Sequence, residues 1–145
     1  MESTTNYDTS TLVVGGKRVL VGNATIVADA GRTAVLKENT VMGFIPSTGK
    51  WTPFVGATLA TTVNVGVYVG PDIAAADLVA GDIDGNSIIV GGTERLLVRE
   101  DLLVIDEDTT TLDTAVGTGD TATTARHILY RAGIYAQNSN TLYSV

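Results

Sequence analysis

The residues with the clearest chemical potential lie in a few short motifs, of which the first is the run Ser47-Thr48-Gly49-Lys50. A phosphate-binding loop has the pattern G-x-x-x-x-G-K-[ST], and the hydroxyl group after its lysine binds magnesium. Here five residues separate Gly43 from Gly49, and Trp51 follows the lysine. The run also leads into a β-like segment, so no helix N-terminus is available for a phosphate. The pattern predicts a hairpin turn with Gly49 in the left-handed conformation.

Two further motifs depart from the site patterns that they suggest. Residues 117–122 match G-x-G-x-x-A, but no buried strand precedes them and no βαβ unit surrounds them. The acidic run that starts at Asp82 has Ser87 and Thr93 where an EF-hand loop needs glycine and glutamate. We predict a loop for the first motif and a tight hairpin turn at Asp84-Gly85 for the second. A weak, incidental cation site at the turn is the alternative.

The titratable residues give little support for catalysis. His127 is the only histidine and the chain has no cysteine, so an ordinary zinc site is not available. No G-x-S-x-G motif provides a nucleophile for a triad with this histidine. Five carboxylates indicate a solvated acidic loop, with paired catalytic carboxylates as the alternative: Glu100, Asp101, Asp106, Glu107 and Asp108. The sequence therefore predicts a protein that is not an enzyme and uses no cofactor or metal.

Charge and composition limit the class of partner. The 145 residues carry a net charge of −7, and no cluster of lysine and arginine overrides that average. Nucleic acid is therefore not an expected partner, because its phosphates would be repelled. A membrane is not expected either, since no segment approaches the roughly 20 apolar residues of a spanning helix. The polar start MESTTNYDTS lacks the basic and apolar regions of a signal peptide.

The elements that position these residues are mainly strands. Alternating and β-branched runs predict short strands at 18–28, 33–36, 40–45, 62–70, 87–90, 94–98, 102–106 and 134–136. A weaker pattern predicts a helical turn within 70–82. Helical spacing, an N-cap at Thr123 or Thr124 and a C′ glycine at Gly133 predict a helix near the C-terminus. We expect a mainly β domain over residues 11–145, with one or two short helices, preceded by a flexible polar arm at 1–10.

Several of these segments resemble a known family. The stretch TVMGFIPSTGKWTPF (40–54) is similar to the early part of the lambda-type head-decoration proteins of tailed bacteriophages. In that family an apolar strand is followed by a turn that ends in a basic residue, and then by an aromatic residue. The strand VNVGVYV (63–69) and the closing order of helix, Gly133, Ile134 and Tyr135 resemble later parts of the family. The resemblance spans residues 33–137.

The resemblance implies a small β-tulip-like domain that forms a homotrimer. It implies binding to the major capsid protein on the outer surface of the expanded capsid, after synthesis in the host cytoplasm, and stabilisation (cementing) of the shell. The alternative is another virion β module, such as a head-fibre or tail-fibre segment or a glycan-binding domain.

The resemblance also indicates which residues would make the contacts. It implies an N-terminal arm that orders against the shell, and such an arm can add a strand to an exposed sheet edge. The candidate arm residues are Thr4, Thr5, Asn6, Tyr7, Thr9, Thr11, Leu12 and Val13. Trp51 and Phe54 are candidate anchors of a subunit contact, because aromatic residues dominate interface hot spots. The alternative is that both rings fill the local core.

Overall fold

The fold is mainly β with two short helices, as the sequence predicts. The computed structural model describes residues 12–54, 64–106, 111–113, 115–116 and 123–137. Its strands are β1 (Val13–Ile26), β2 (Val41–Ile45), β3 (Lys50–Pro53), β4 (Asn64–Tyr68), β5 (Ile83–Arg99), β6 (Ala115–Val116), β7 (Thr123–Thr124) and β8 (Ile134–Gln137). The helices are α1 (Ala75–Ala80) and α2 (Ala125–Arg131), and a 3₁₀ turn covers Glu100–Leu102. No helix among the described residues is both long and apolar enough to span a membrane.

Five of the strands close into a barrel in the order β1-β3-β2-β4-β5, because β5 pairs with β1 again. All of these pairs are antiparallel except β1–β3, which is parallel and joined at Ile26 and Trp51. The amide of Val27 donates to the carbonyl of Trp51 at 2.9 Å at this closure. Strand β8 extends the sheet beyond the barrel by pairing in parallel with the end of β5.

Two apolar clusters lie on opposite faces of the sheet formed by β2, β4 and β5. The interior cluster draws on all five barrel strands and is capped by Leu78 of α1; it includes Ile26, Met42, Trp51, Tyr68 and Ile88. The outer cluster lies under α2 and β8; it includes Val41, Val67, Ile89, Leu129 and Ile134. Consecutive residues of a strand point to opposite faces, which is why neighbours such as Ile88 and Ile89 belong to different clusters. The sheet is therefore buried on both sides where α2 covers it.

The ribbon of β1 and β5 corrects the predicted turn at Asp84-Gly85. Strand β5 runs without interruption from Ile83, and its register with β1 shifts between the pairs Ala24–Asn86 and Ile26–Ile83. Asp84 and Gly85 form a bulge inside the strand, with Gly85 at φ +77°. The predicted hairpin turn is therefore wrong, although glycine suits the left-handed conformation at this position. The chain does not reverse there, because β1 pairs on both sides of the bulge.

Two of the predicted strands are wrong. Of residues 33–36, only Leu36 pairs, through reciprocal hydrogen bonds of 2.9 and 2.8 Å with Ile73. Of residues 102–106, only Val104 pairs, in a parallel bridge with Thr40. Both segments contain apolar residues because they cover the barrel, with Leu36 fully buried in the interior cluster. Apolar content alone does not separate such covering loops from strands.

The predicted hairpin and both predicted helices are confirmed. Strands β2 and β3 pair around the turn, and Gly49 has φ +71°. Thr124 is the N-cap of α2, and its hydroxyl accepts a hydrogen bond of 3.2 Å from the amide of His127. Gly133 follows the helix at φ +85°, and β8 begins at the next residue. The weaker pattern at 70–82 contains α1.

Candidate functional site

Trp51 and Phe54 lie inside the domain. Trp51 is 5% exposed in the interior cluster, with its ring 5.2 Å from that of Phe44, and Phe54 is 1% exposed in the outer cluster. Their burial agrees with the alternative that they fill the core. Neither ring offers a surface to a second subunit in this fold.

The end of the candidate arm belongs to the barrel. Leu12 is 7% exposed in the outer cluster, and its carbonyl accepts a hydrogen bond of 2.9 Å from the amide of Arg99. Val13 pairs with Val98 as the first residue of β1. Both residues are used by the fold and are not available as an added strand on a neighbour. The other candidates, Thr4, Thr5, Asn6, Tyr7, Thr9 and Thr11, lie outside the described residues.

Strand β1 carries the most apolar exposed surface in the described part of the chain. Of the six large hydrophobic residues that are exposed there, three lie on this strand: Val14, Val19 and Leu20. We call these three residues the β1 surface. Val14 is 39% exposed and lies where the register of β1 against β5 shifts, between the pairs Val13–Val98 and Gly15–Leu97. At Val19 and Leu20 two consecutive positions are exposed, 44% and 58%, which places apolar groups on both faces of the strand.

Most of the acidic residues that predicted a solvated loop are held in ion pairs. Asp106 accepts hydrogen bonds of 2.5 and 2.8 Å from the guanidinium of Arg32, whose side chain is only 5% exposed. The hydrogen bond to Asp106 raises the pKa of Arg32. Asp101 pairs with Arg99, and Glu100 pairs with Arg126. The interpretation as a solvated loop is therefore wrong for Glu100 and Asp106, which are partly buried in ion pairs, whereas Asp101 is exposed as expected. Glu107 and Asp108 lie outside the described residues.

Arg126 is the centre of the largest of these networks. Its guanidinium contacts Glu100 and donates to Asp113 at 2.8 and 3.1 Å, and it reaches the carbonyl of Ala136 in β8 at 3.4 Å. The hydrogen bond from Arg126 lowers the pKa of Asp113. The network ties the start of α2 to the 3₁₀ turn and to β8. It holds the C-terminal elements on the barrel, and its acids are already neutralised by arginine.

The acidic bulge has structural partners in place of a cation. Asp82 pairs with Lys50 and accepts a hydrogen bond of 2.8 Å from the amide of Ala28. These two interactions, the lysine first, lower the pKa of Asp82. Asp84 accepts a hydrogen bond of 2.7 Å from the hydroxyl of Thr25. Among the described residues, no three histidine, aspartate or glutamate side chains are grouped as metal ligands.

An open cleft of about 440 Å³ lies beside the ion pair of Arg32 and Asp106. Its walls are the covering segments at 33–35 and 104–106, with Asp29 and Lys37 at its rim. Most of the donors of Arg32 are engaged there, because it also donates to the carbonyls of Ala34 at 2.8 Å and Val35 at 3.2 Å. The cleft therefore has the shape of a binding site but little free hydrogen-bonding capacity in its floor.

His127 lies on the exposed side of α2, beside aromatic rings. The rings of His127 and Tyr130 are nearly parallel, with centroids 6.3 Å apart, and Tyr130 lies 4.4 Å from Tyr135 of β8. The guanidinium of Arg95 lies over the ring of Tyr135 at 5.0 Å. The sequence predicted the position of His127 on the helix but did not reveal this group. Its only signal was the i, i+3 spacing of His127 and Tyr130 on one face of α2.

Comparison with protein-family models, with curated proteins and with solved structures finds no match to this chain. The surfaces described above are therefore interpreted from their own chemistry.

Proposed function

We propose that this chain is a structural virion protein that binds the outer surface of an expanded bacteriophage capsid and stabilises the shell. The proposal includes a homotrimer as the binding unit and the major capsid protein as the partner. It assigns the protein no catalytic step and no cofactor. The resemblance of residues 33–137 to lambda-type decoration proteins motivates the proposal, and a surface suited to adhesion supports it.

The observation that carries the proposal is the β1 surface. Val14, Val19 and Leu20 are exposed on the strand that directly continues the candidate arm. Half of the large hydrophobic residues that are exposed in the described part of the chain lie on this one strand, and we infer that the strand contacts another macromolecule. An arm and the strand that follows it can bind one continuous stretch of a partner, by main-chain pairing in the first part and by apolar contact in the second. A repetitive shell offers many equivalent positions, so modest contacts per chain add up when several chains are joined.

The arrangement of charge agrees with adhesion to a protein shell. Three carboxylates of the predicted acidic loop, Asp106, Asp101 and Glu100, are paired with arginines. A net charge of −7 is compatible with the outer face of a capsid, which does not touch the packaged genome. The same charge would weaken any binding to nucleic acid.

The proposal is tested by mixing the purified protein with expanded, undecorated capsids of the phage that encodes it, followed by sedimentation. Val19→Glu and Val79→Glu form a matched pair, because both valines are 44% exposed and only Val19 lies on the β1 surface. We expect wild type and Val79→Glu to bind, and the dissociation constant of Val19→Glu to be at least about tenfold higher, a loss of about 1.4 kcal/mol.

Absence of binding by the wild type at saturating concentration would refute the proposal. Equal loss in both variants would show that added negative charge, and not the β1 surface, controls binding. Electron microscopy that places the protein on a head fibre or tail fibre would favour the alternative virion module.

A further inference from the structure

An exposed group of cationic and aromatic side chains covers the outside of α2 and β8. It consists of Arg95, His127, Tyr130, Arg131 and Tyr135, and we call it the basic–aromatic face. His127, Tyr130 and Arg131 share the solvent side of α2 because their spacing is i, i+3, i+4. Tyr130 is 52% exposed, although it contacts Tyr135. Its hydrogen bond to Tyr135 raises the pKa of that phenol.

The two arginines of this face lack the carboxylate partner that most of the other described basic side chains have, with Lys37 as the exception among those others. Arg32, Lys50, Arg99 and Arg126 each pair with a carboxylate. Neither Arg95 nor Arg131 has a carboxylate partner in the part of the chain that the structure describes, although both are exposed. In a chain with a net charge of −7, this face is a local concentration of unpaired positive charge. Arginine and tyrosine are also the residue types that dominate interface hot spots.

A second surface has the opposite character. Asp29, Glu38, Asp72 and Asp77 are exposed around α1, and within the described residues none of them forms an ion pair. We call these four residues the acidic end. They lie close together, since the carboxylate of Asp72 accepts a hydrogen bond of 2.8 Å from the amide of Glu38, and the amide of Asp29 donates to the carbonyl of Leu78 in α1 at 3.0 Å.

The negative potential of the acidic end also acts on the barrel beneath it. Burial raises the pKa of the phenol of Tyr68, and the charges of Asp72 and Glu38 raise it further. The phenol donates a hydrogen bond of 2.6 Å to the carbonyl of Pro71 and so stays protonated under this end.

The sheet separates the two charged surfaces. Helix α2 packs on the outer cluster through Leu129, and α1 packs on the interior cluster through Leu78. These clusters lie on opposite faces of the sheet of β2, β4 and β5, so the basic–aromatic face and the acidic end of one chain do not neutralise each other. A second copy of the chain, oriented head to tail, brings them together.

We propose that the basic–aromatic face of one copy of this chain binds the acidic end of a second copy. Complementary potentials favour this orientation and disfavour contacts between like surfaces. Because two different surfaces meet, the contact is heterologous and generates a ring when the rotation closes. The inference deepens the proposed function, since it names the surfaces that join the subunits of the proposed trimer. It also predicts that salt weakens the assembly, because exposed charges are screened within about 10 Å at 0.1 M ionic strength.

Sedimentation velocity on the full-length protein tests this contact with three variants. Arg131→Glu reverses a charge of the basic–aromatic face, and Lys37→Glu is its control, because it changes the net charge equally but lies next to the acidic end. The double variant Arg131→Glu/Asp77→Lys reverses both sides of the contact. We expect Arg131→Glu to raise the dissociation constant of the assembly at least about tenfold, Lys37→Glu to leave it unchanged or lower it, and the double variant to recover most of the loss.

Replacing Tyr130 by alanine is a second, uncharged probe of the same face, and circular dichroism checks that each variant is folded. We expect Tyr130→Ala to weaken the assembly as well, since it removes an exposed ring and no charge. A wild-type protein that remains monomeric at high concentration would overturn the inference. An assembly that Arg131→Glu leaves intact, or that the double variant does not restore, would overturn it too. Capsid binding is scored separately. A monomer that binds capsids refutes this contact and the homotrimer, but not the binding to the shell. An assembly with these properties that fails to bind capsids refutes the proposed function and leaves the contact standing.

Discussion

The start of the barrel gives the sharpest prediction, because the fold uses Leu12 and Val13 and the predicted polar arm precedes them. Deleting residues 2–11, so that Met1 precedes Leu12, removes a polar stretch and is expected to leave the melting temperature unchanged. Deleting residues 2–13 also removes Leu12, which is 7% exposed, and Val13, which pairs with Val98. The two truncations therefore differ by only two residues but differ in whether the core is complete.

The size of the difference follows from the contacts. Burial of a leucine side chain contributes about 1.5–3 kcal/mol, and the hydrogen bond from the amide of Arg99 to the carbonyl of Leu12 contributes about 1 kcal/mol. With the half-buried Val13 included, we expect a loss of about 3–5 kcal/mol in the free energy of unfolding. For a chain of this size the loss corresponds to a fall of roughly 10–20 °C in melting temperature.

Calorimetry of the two truncated proteins measures this difference, and capsid sedimentation of the shorter truncation measures the contribution of the arm. We expect the protein that lacks residues 2–11 to fold normally and to bind capsids more weakly than the full chain. Equal melting temperatures for the two truncations would contradict the placement of Leu12 in the core. Failure of the shorter truncation to fold would show that residues before Leu12 belong to the domain, and that the predicted arm is wrong.

Three further predictions concern the barrel and its ion pairs. Gly91→Ala should destabilise the fold by about 1–3 kcal/mol, because the new Cβ would collide with the carbonyl of Ala132 and lie 2.7 Å from the carbonyl carbon of Gly133. The control Gly22→Ala places its Cβ in open space and should be neutral. Chemical denaturation compares the two variants. Asp106→Asn should lower the free energy of unfolding by about 2–3 kcal/mol, because it leaves the buried guanidinium of Arg32 uncompensated. Asp101→Asn removes a more exposed ion pair and should lower it by less than about 0.5 kcal/mol. Equal losses would contradict the role of burial. Asp82→Asn should be less stable than wild type at pH 7. Folding lowers the pKa of Asp82 below its ordinary value of 3.8, so the stability that the carboxylate contributes is lost as the pH falls through the pKa of the folded state, and the difference between the two proteins should vanish there. A difference that persists in acid would contradict this.

The parts of the fold that the sequence predicts correctly are those with a local cause. The N-cap at Thr124, the left-handed glycines Gly49 and Gly133, and the alternation of β4 each depend on a few neighbouring residues. The motif Asp84-Gly85 shows where local information ends. Its residues specify a left-handed glycine, but whether the chain turns or bulges depends on β1, whose paired residues are some sixty positions earlier in the sequence.

The candidate site shows the same division. The sequence identifies Trp51 and Phe54 as large aromatic residues, but their burial depends on the closure of β3 onto β1 and on the packing of both core clusters. The ion pair of Arg32 and Asp106 joins residues 74 positions apart, and no local pattern predicts it. Val19 and Leu20 lie in the predicted strand at 18–28, and Val14 lies before it. Only the fold shows that all three face solvent.

The central claim is that this protein acts by adhesion to the outside of a phage capsid. Electron microscopy of mature particles, reconstructed with and without the gene for this chain, measures it most directly. We expect additional density on the outer shell that fits the five-strand barrel, with β1 towards the capsid protein. This density should be absent from particles that lack the gene. Outer shells that are identical in the two reconstructions would contradict the claim.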